Sequence, residues 1–176
     1  SQIAQALDFA HSKHVLHRDI KPSNIMIDND DNAYLMDFGI AREAKDTMTR
    51  VTGRDSSGTL PYMSPQQLMG NNHRSNDIYS MAATLYEALS GDPPFATGDL
   101  VEQIKHGIPQ PLANQPDHVN NAILAALAKE SESRPLSATA LAQAITGKSK
   151  LPTATKQSTT SGKRKPVLLA SFLILI

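Results

Sequence analysis

Two short polar stretches constrain this chain more than any other feature. His17-Arg18-Asp19-Ile20-Lys21-Pro22-Ser23-Asn24 holds a carboxylate, a cation two residues on and a carboxamide five residues on. Asp37-Phe38-Gly39 then supplies a second carboxylate next to a glycine. Between them, Asn24–Asp28 and Ala33–Met36 are short apolar runs that read as strands. Asn29-Asp30-Asp31-Asn32 separates the runs, and Asn and Asp favour turns because they tolerate left-handed backbone and bond their own main chain. The two polar stretches therefore sit at the two ends of one small hairpin, with Asp37 at its exit.

The rest of the chain is helical in pattern. Residues 2–13 place Ile3, Leu7 and Ala10 at helical spacing. Ser75 is an expected N-cap for a helix through about Ser90, in which Ile78, Met81, Ala82, Leu85 and Leu89 follow the buried-helix template. Gly91-Asp92-Pro93-Pro94 stops it. Further helices are expected near 97–106, from Asp117 to about Ala128, and from a Ser137 cap to about Thr146. Residues 40–66 are polar, rich in Ser, Thr and Gly, and lack periodicity; an irregular stretch of that length inside a compact domain is usually functional or disordered.

Composition adds one sharp boundary. With no Cys, a disulfide framework and thiolate metal sites are excluded, and a reducing compartment fits. The zero net charge conceals two halves: residues 1–147 carry −6 and the remainder +6. Residues 148–165 are Ser, Thr, Lys and Pro with almost no apolar residue, which reads as a flexible basic linker. Val167–Ile176 is apolar except for Ser171. At 1.5 Å per residue it covers roughly half of a ~30 Å hydrocarbon core, so residues 166–176 read as the start of a transmembrane helix. Lys163-Arg164-Lys165 before it matches the positive-inside pattern, which puts the preceding residues on the cytoplasmic side. A basic tail also suits nucleic acid, but the apolar run favours a membrane. The start at Ser1 inside a helix reads as the edge of a fragment.

The polar groups match one chemistry. Phosphoryl transfer needs positioning, charge neutralisation by magnesium, and an acceptor for the incoming hydroxyl proton. Asp19 can orient that hydroxyl and take its proton. Lys21 can stand as a cation near the transferring phosphate. Asn24 and Asp37 offer the hard oxygen ligands that magnesium prefers. Gly39 permits a sharp backbone turn after Asp37.

On His17, Arg18, Asp19, Lys21, Asn24, Asp37, Phe38 and Gly39, the chain resembles the eukaryotic-like Ser/Thr protein kinases that bacteria use as membrane receptors, whose signature pairs H-R-D-x-x-x-x-N with D-F-G. The resemblance covers roughly residues 1–147. It implies an α+β fold: the mostly helical C-terminal lobe of a protein kinase, with a small β-hairpin carrying the catalytic and metal motifs and the N-terminal lobe absent. It implies ATP and Mg2+ as cofactors, Asp19 as catalytic base, Asn24 and Asp37 as magnesium ligands, and Lys21 as a phosphate-facing cation typical of Ser/Thr specificity. Gly58-Thr59 and Pro61-Tyr62-Met63-Ser64-Pro65 resemble the end of an activation segment, with Thr59 bonded to Asp19 and Lys21. Asp77 is expected to brace the catalytic-loop backbone, and His17 to stack on Phe38. The usual Ala-Pro-Glu is here Ser64-Pro65-Gln66, so the expected ion pair to Arg134 becomes at most a hydrogen bond with one charged partner.

Arg18 resembles the kinase arginine that pairs with a loop phosphate, so at least one of Thr47, Thr49 and Thr52 is an expected phosphorylation site, with Ser56 and Ser57 as further hydroxyls on that loop. His11 and His14 have no third ligand nearby, which favours surface or capping roles over metal binding, and His73, His106 and His118 are isolated. The expected partners are protein substrates presenting Ser or Thr, the membrane, and in one arrangement a second copy of the chain; no nucleic acid is expected. A small-molecule kinase of the aminoglycoside or choline type shares the Asp and Asn but lacks the long Ser/Thr-rich segment. A pseudokinase scaffold is the non-catalytic alternative, disfavoured by the intact Asp19, Asn24 and Asp37.

Overall fold

In the computed structural model, residues 2–38 and 58–149 are described. Six α-helices and one two-stranded antiparallel hairpin are found among them: α1 (Gln2–Ser12), β1 (Ile25–Ile27), β2 (Ala33–Leu35), α2 (Pro65–Leu68), α3 (Arg74–Ser90), α4 (Leu100–His106), α5 (Asp117–Ala126) and α6 (Ala138–Ile145). The fold is therefore α+β and mostly helical, with one small sheet, as the sequence pattern predicts.

α3 is the axis. It buries side chains on nearly every face, from Ser75 through Thr84 and again at Tyr86. A helix buried all round needs partners for its polar residues. Ser80 Oγ donates to the Tyr62 carbonyl at 2.8 Å, and Thr84 Oγ1 to the Ser80 carbonyl at 2.8 Å. Asn76 Nδ2 donates to the Asn71 carbonyl at 2.7 Å. Gly91, at φ 93°, takes the left-handed conformation that closes the helix and donates its N–H to Glu87 O at 2.8 Å. The N-terminus differs from expectation. Ser75 lies inside the first turn and is buried, and His73 is the cap, its ring accepting from Ser75 N at 3.3 Å.

The remaining helices pack around α3 and each other. Leu7 of α1, Ile78 and Tyr79 of α3, Ile123 of α5 and Leu141 of α6 lie in one core. α1 ends at left-handed His14 (φ 60°), with Val15 N donating to Ala10 O at 3.0 Å. α4 starts three residues later than expected because Asp99 caps it, accepting from Glu102 N at 3.0 Å. In α5 the cap position falls on Pro116, and Asp117 is the first helical residue. α6 begins as expected, with Ser137 Oγ accepting from Ala140 N at 3.0 Å. Asp8 of α1 completes that end: its two carboxylate oxygens accept from Ala138 N and Thr139 N, both at 2.9 Å.

The hairpin register pairs Ile25 with Leu35, Met26 with Tyr34 and Ile27 with Ala33. Asp28 ties the turn. Its Oδ1 accepts from Asp30 N and Asn32 N, both at 2.9 Å, and its Oδ2 from Tyr34 Oη at 3.0 Å and Asn32 Nδ2 at 3.1 Å. The bonds from Asn32, backbone first, hold the Asp28 carboxyl below its ordinary value. No helix among the described residues is long and apolar enough to cross a membrane; the expected span at 166–176 lies outside them, as do residues 150–165 of the expected linker.

Candidate active site

The loop between α1 and β1 is held from below by α3. Asp77, 1% exposed, accepts from His17 N (2.9 Å) and Arg18 N (2.8 Å), one to each carboxylate oxygen. His11 Nε2 adds a third contact at 2.8 Å to the oxygen that His17 uses. The sequence predicts the brace but not His11, for which it suggests a surface or capping role. The ring instead joins α1 to Asp77 across 66 positions, a contact that no local pattern signals.

Arg18 itself is left-handed, at φ 67°. A long side chain rarely adopts this conformation, and it persists only when the surroundings fix it. Asp77 holds its N–H, and Gln67 Nε2 donates to its carbonyl at 2.7 Å. Asp19 N donates to His17 Nδ1 at 3.3 Å, while His17 Nε2 meets the Met36 carbonyl at 2.8 Å. These partners assign the proton of the ring to Nε2. The His17 ring sits 4.7 Å from that of Phe38, tilted by 50°, which brings together the pair the sequence predicts.

Asp19, Lys21, Asn24 and Thr59 converge. Lys21 Nζ lies 3.2 Å from Asp19 Oδ2 and donates to Thr59 Oγ1 at 2.9 Å. Asn24 Nδ2 donates to the Asp19 carbonyl at 2.7 Å and to Asp19 Oδ2 at 3.2 Å. Thr59 is buried, so the Lys21 bond joins the end of the polar segment to the catalytic loop. The expected bond between Lys21 and Thr59 is present. The Asn24 carbonyl accepts from Met36 N at 2.8 Å, which draws Asp37, next in the chain, towards the start of the hairpin. Asp37 is exposed and left-handed at φ 54°.

The donor chemistry here suits magnesium. Asn24 spends its amide nitrogen on Asp19, which leaves Oδ1 as a hard oxygen, and Asp37 contributes an exposed carboxylate; both are ligand types that Mg2+ takes. Among the described residues there is no cluster of three or more His, Cys, Asp and Glu, so a cation here relies on Asn24, Asp37 and oxygens from its substrate.

Beyond Thr59 the chain turns through a 3-10 segment, Leu60–Tyr62, into α2, capped by Ser64 Oγ accepting from Gln67 N at 3.1 Å. Tyr62 Oη donates to Glu87 Oε2 at 2.5 Å, and burial together with that carboxylate holds the phenol far above its usual value. Gln66 takes the place of the usual acid and makes two bonds. Its Oε1 accepts from Arg134 Nη2 at 2.6 Å, and its Nε2 donates to the Lys129 carbonyl at 2.7 Å. Arg134, 4% exposed, also donates to the carbonyls of Ala128, Ser75 and Lys129. Burial pushes its guanidinium down to about 10, which leaves it charged at neutral pH. Lys129 Nζ in turn donates to the carbonyls of Gln103 and Ile104 at the end of α4 (2.9 and 2.6 Å) and lies 4.5 Å from the Phe95 ring.

Gly39, Thr47, Thr49, Thr52, Ser56 and Ser57 lie outside the described residues. Two contributors were not singled out from the sequence. Gln67 acts on the Arg18 backbone carbonyl, 49 positions away, and Glu87 meets Tyr62 only because α3 passes beneath the segment.

The helical body with its single small hairpin matches a partial protein kinase fold. Comparison with known proteins agrees. The profile of the family described as protein kinase domain matches residues 1–147. PknH, a serine/threonine-protein kinase of Mycobacterium tuberculosis, is 43% identical over 153 residues, covering 82% of this chain and 24% of PknH. PknB of the same organism is 39% identical over 140 residues, covering 74% of this chain and 22% of PknB. A solved structure of the M. tuberculosis PknI kinase domain superposes with TM-score 0.61 at 28% identity, covering 83% of this chain and 51% of that one. The chain belongs to the protein kinase family, among relatives that are Ser/Thr kinases. It spans about a quarter of the length of these curated relatives and about half of the PknI kinase domain.

Proposed function

We propose that this chain is the catalytic-loop half of a Ser/Thr protein kinase that transfers the γ-phosphate of ATP to protein Ser and Thr hydroxyls. The observation that carries this reading is the convergence of Asp19, Lys21, Asn24 and Thr59 on one point. Asp19 orients the substrate hydroxyl and accepts its proton. Lys21, 3.2 Å from Asp19 Oδ2, presents its cation to the transferring phosphate. Thr59 shapes the floor on which the acceptor peptide lies. Asn24 Oδ1 and Asp37 hold the magnesium, which neutralises phosphate charge when bound.

In the full-length protein, Asp19→Asn lowers phosphate transfer by about 10²-fold or more, the usual worth of a positioned base, and leaves nucleotide affinity within about threefold. Turnover retained in that variant would unseat Asp19. A wild-type protein with no transfer would favour the scaffold reading.

Residues 1–176 alone do not transfer phosphate in this proposal. The chain spans half of a comparable kinase domain, and its hairpin leaves Ile27 67% exposed on an apolar groove of about 580 Å³. Autophosphorylation of the isolated chain, abolished by Asp19→Asn, overturns this. At least one phosphate among Thr47, Thr49 and Thr52 pairs with Arg18 in the active protein; an unmodified loop in phosphopeptide maps of active enzyme overturns that. The basic stretch 148–165 and apolar run 166–176 fit a single-pass membrane anchor with the kinase cytoplasmic. Recovery of the full-length protein in the soluble fraction after cell lysis would rule the anchor out.

A further inference from the structure

We propose that Gln67 is a positioning residue for phosphoryl transfer, fixing the peptide that carries Asp19; the inference rests on the kinase reading above. Gln67 is 5% exposed and lies on α2, immediately after the Ser64-Pro65-Gln66 closure of the segment. Its Nε2 donates to the Arg18 carbonyl at 2.7 Å, across 49 positions. That carbonyl and the Asp19 N–H belong to the same peptide unit. The N–H is held by His17 Nδ1 at 3.3 Å, a long bond, so the carbonyl side carries the tighter restraint.

The restraint is needed because Arg18 is left-handed, at φ 67°. Relaxing that strain rotates the peptide and turns Asp19 away from Lys21 and Asn24. Asp77 fixes amides that precede this peptide, at His17 N and Arg18 N. Gln67 therefore supplies a restraint that the α3 brace does not.

Burial alone does not account for a glutamine here. Gln67 Oε1 is buried and accepts no hydrogen bond from the described residues, a net cost that a Leu or Met would avoid. The side chain is polar in order to make one bond, and that bond is to Arg18. The reverse amide orientation would face oxygen against oxygen, so the assignment of Nε2 is secure. The short α2 thus ties the end of the substrate-facing segment to the backbone of the base.

The test uses the full-length protein and two near-isosteric variants: Gln67→Met, which cannot donate, and Gln67→Glu, which cannot donate when ionised. Both lower the single-turnover transfer rate by roughly 10- to 100-fold, the scale of a misplaced catalytic group, with KM for ATP and peptide within about threefold. Amide exchange in the 17–20 region rises in both while α5 and α6 keep their protection. Transfer within about twofold of wild type in either folded variant overturns the proposal, as does unchanged exchange at 17–20. If the wild-type protein transfers no phosphate, the kinase reading fails, and the exchange measurement still decides whether Gln67 holds the Asp19 peptide.

Discussion

Arg134 donates to Gln66 Oε1 at 2.6 Å, and the same glutamine donates onward to the Lys129 carbonyl at 2.7 Å. A glutamate at this position would gain an ion pair with Arg134 and lose the second bond, turning a carboxylate oxygen towards a carbonyl oxygen. The sequence suggests a weakened closure here, because a neutral partner binds Arg less strongly than a carboxylate. The geometry shows a glutamine using both ends of its amide. Gln66→Glu is therefore expected to change unfolding free energy by less than about 1 kcal/mol, whereas Gln66→Leu costs about 2–3 kcal/mol by stripping a buried cation of an acceptor. Urea denaturation of the two variants checks this, and a Gln66→Glu protein more stable by about 2 kcal/mol would contradict it.

Asp77 accepts three bonds at the base of the catalytic loop. Asp77→Asn retains one acceptor oxygen and places an amide donor against backbone N–H groups. The expected cost is about 3 kcal/mol, within the range for disrupting a buried charged network. His11→Ala removes one contact and costs about 1 kcal/mol. Thermal unfolding resolves the difference; equal losses would mean that His11, not the loop amides, dominates the brace.

Asp8 closes the first turn of α6 from another helix, accepting from Ala138 N and Thr139 N. Asp8→Ala leaves both amides without their partner and costs about 1–2 kcal/mol; Asp8→Asn, which keeps one acceptor, costs less. Amide exchange should rise at 138–140 in the Ala variant while α4 stays protected. Unchanged exchange there would show that Ser137 alone suffices as the cap.

The hairpin turn is an acid-sensitive element. Asp28 has a folded-state value below its ordinary one, so its contribution is complete above the usual carboxylate range and fades as pH falls through the depressed value. Between those values the unfolded chain binds the extra proton, so stability there rises with pH. Following the Asn32 and Tyr34 resonances by NMR on acid titration should show the turn loosening below the ordinary Asp range. Asp28→Ala should remove that dependence, and a turn that loosens at the same pH in the variant would exclude Asp28 as its cause.

Local chemistry was legible where the causes were local. The hairpin around 24–37, the Ser137 cap and the Gly91 stop follow from neighbouring residues, and all three are present. The Asp117 cap was displaced because Pro116 already occupies that position. Ser75 was displaced because its side chain is buried within the first turn while the His73 ring takes the cap.

The sequence by itself determined the chemical identity of the site: which carboxylates, which cation and which amide stand at what spacing. Tertiary structure alone decided how those groups are held. His11 to Asp77, Gln67 to Arg18, Gln66 to Lys129 and Asp8 to Ala138 join residues 49 to 130 positions apart. Such bonds follow from helices packing on a common core, and packing is a property of the whole chain that no window of residues contains.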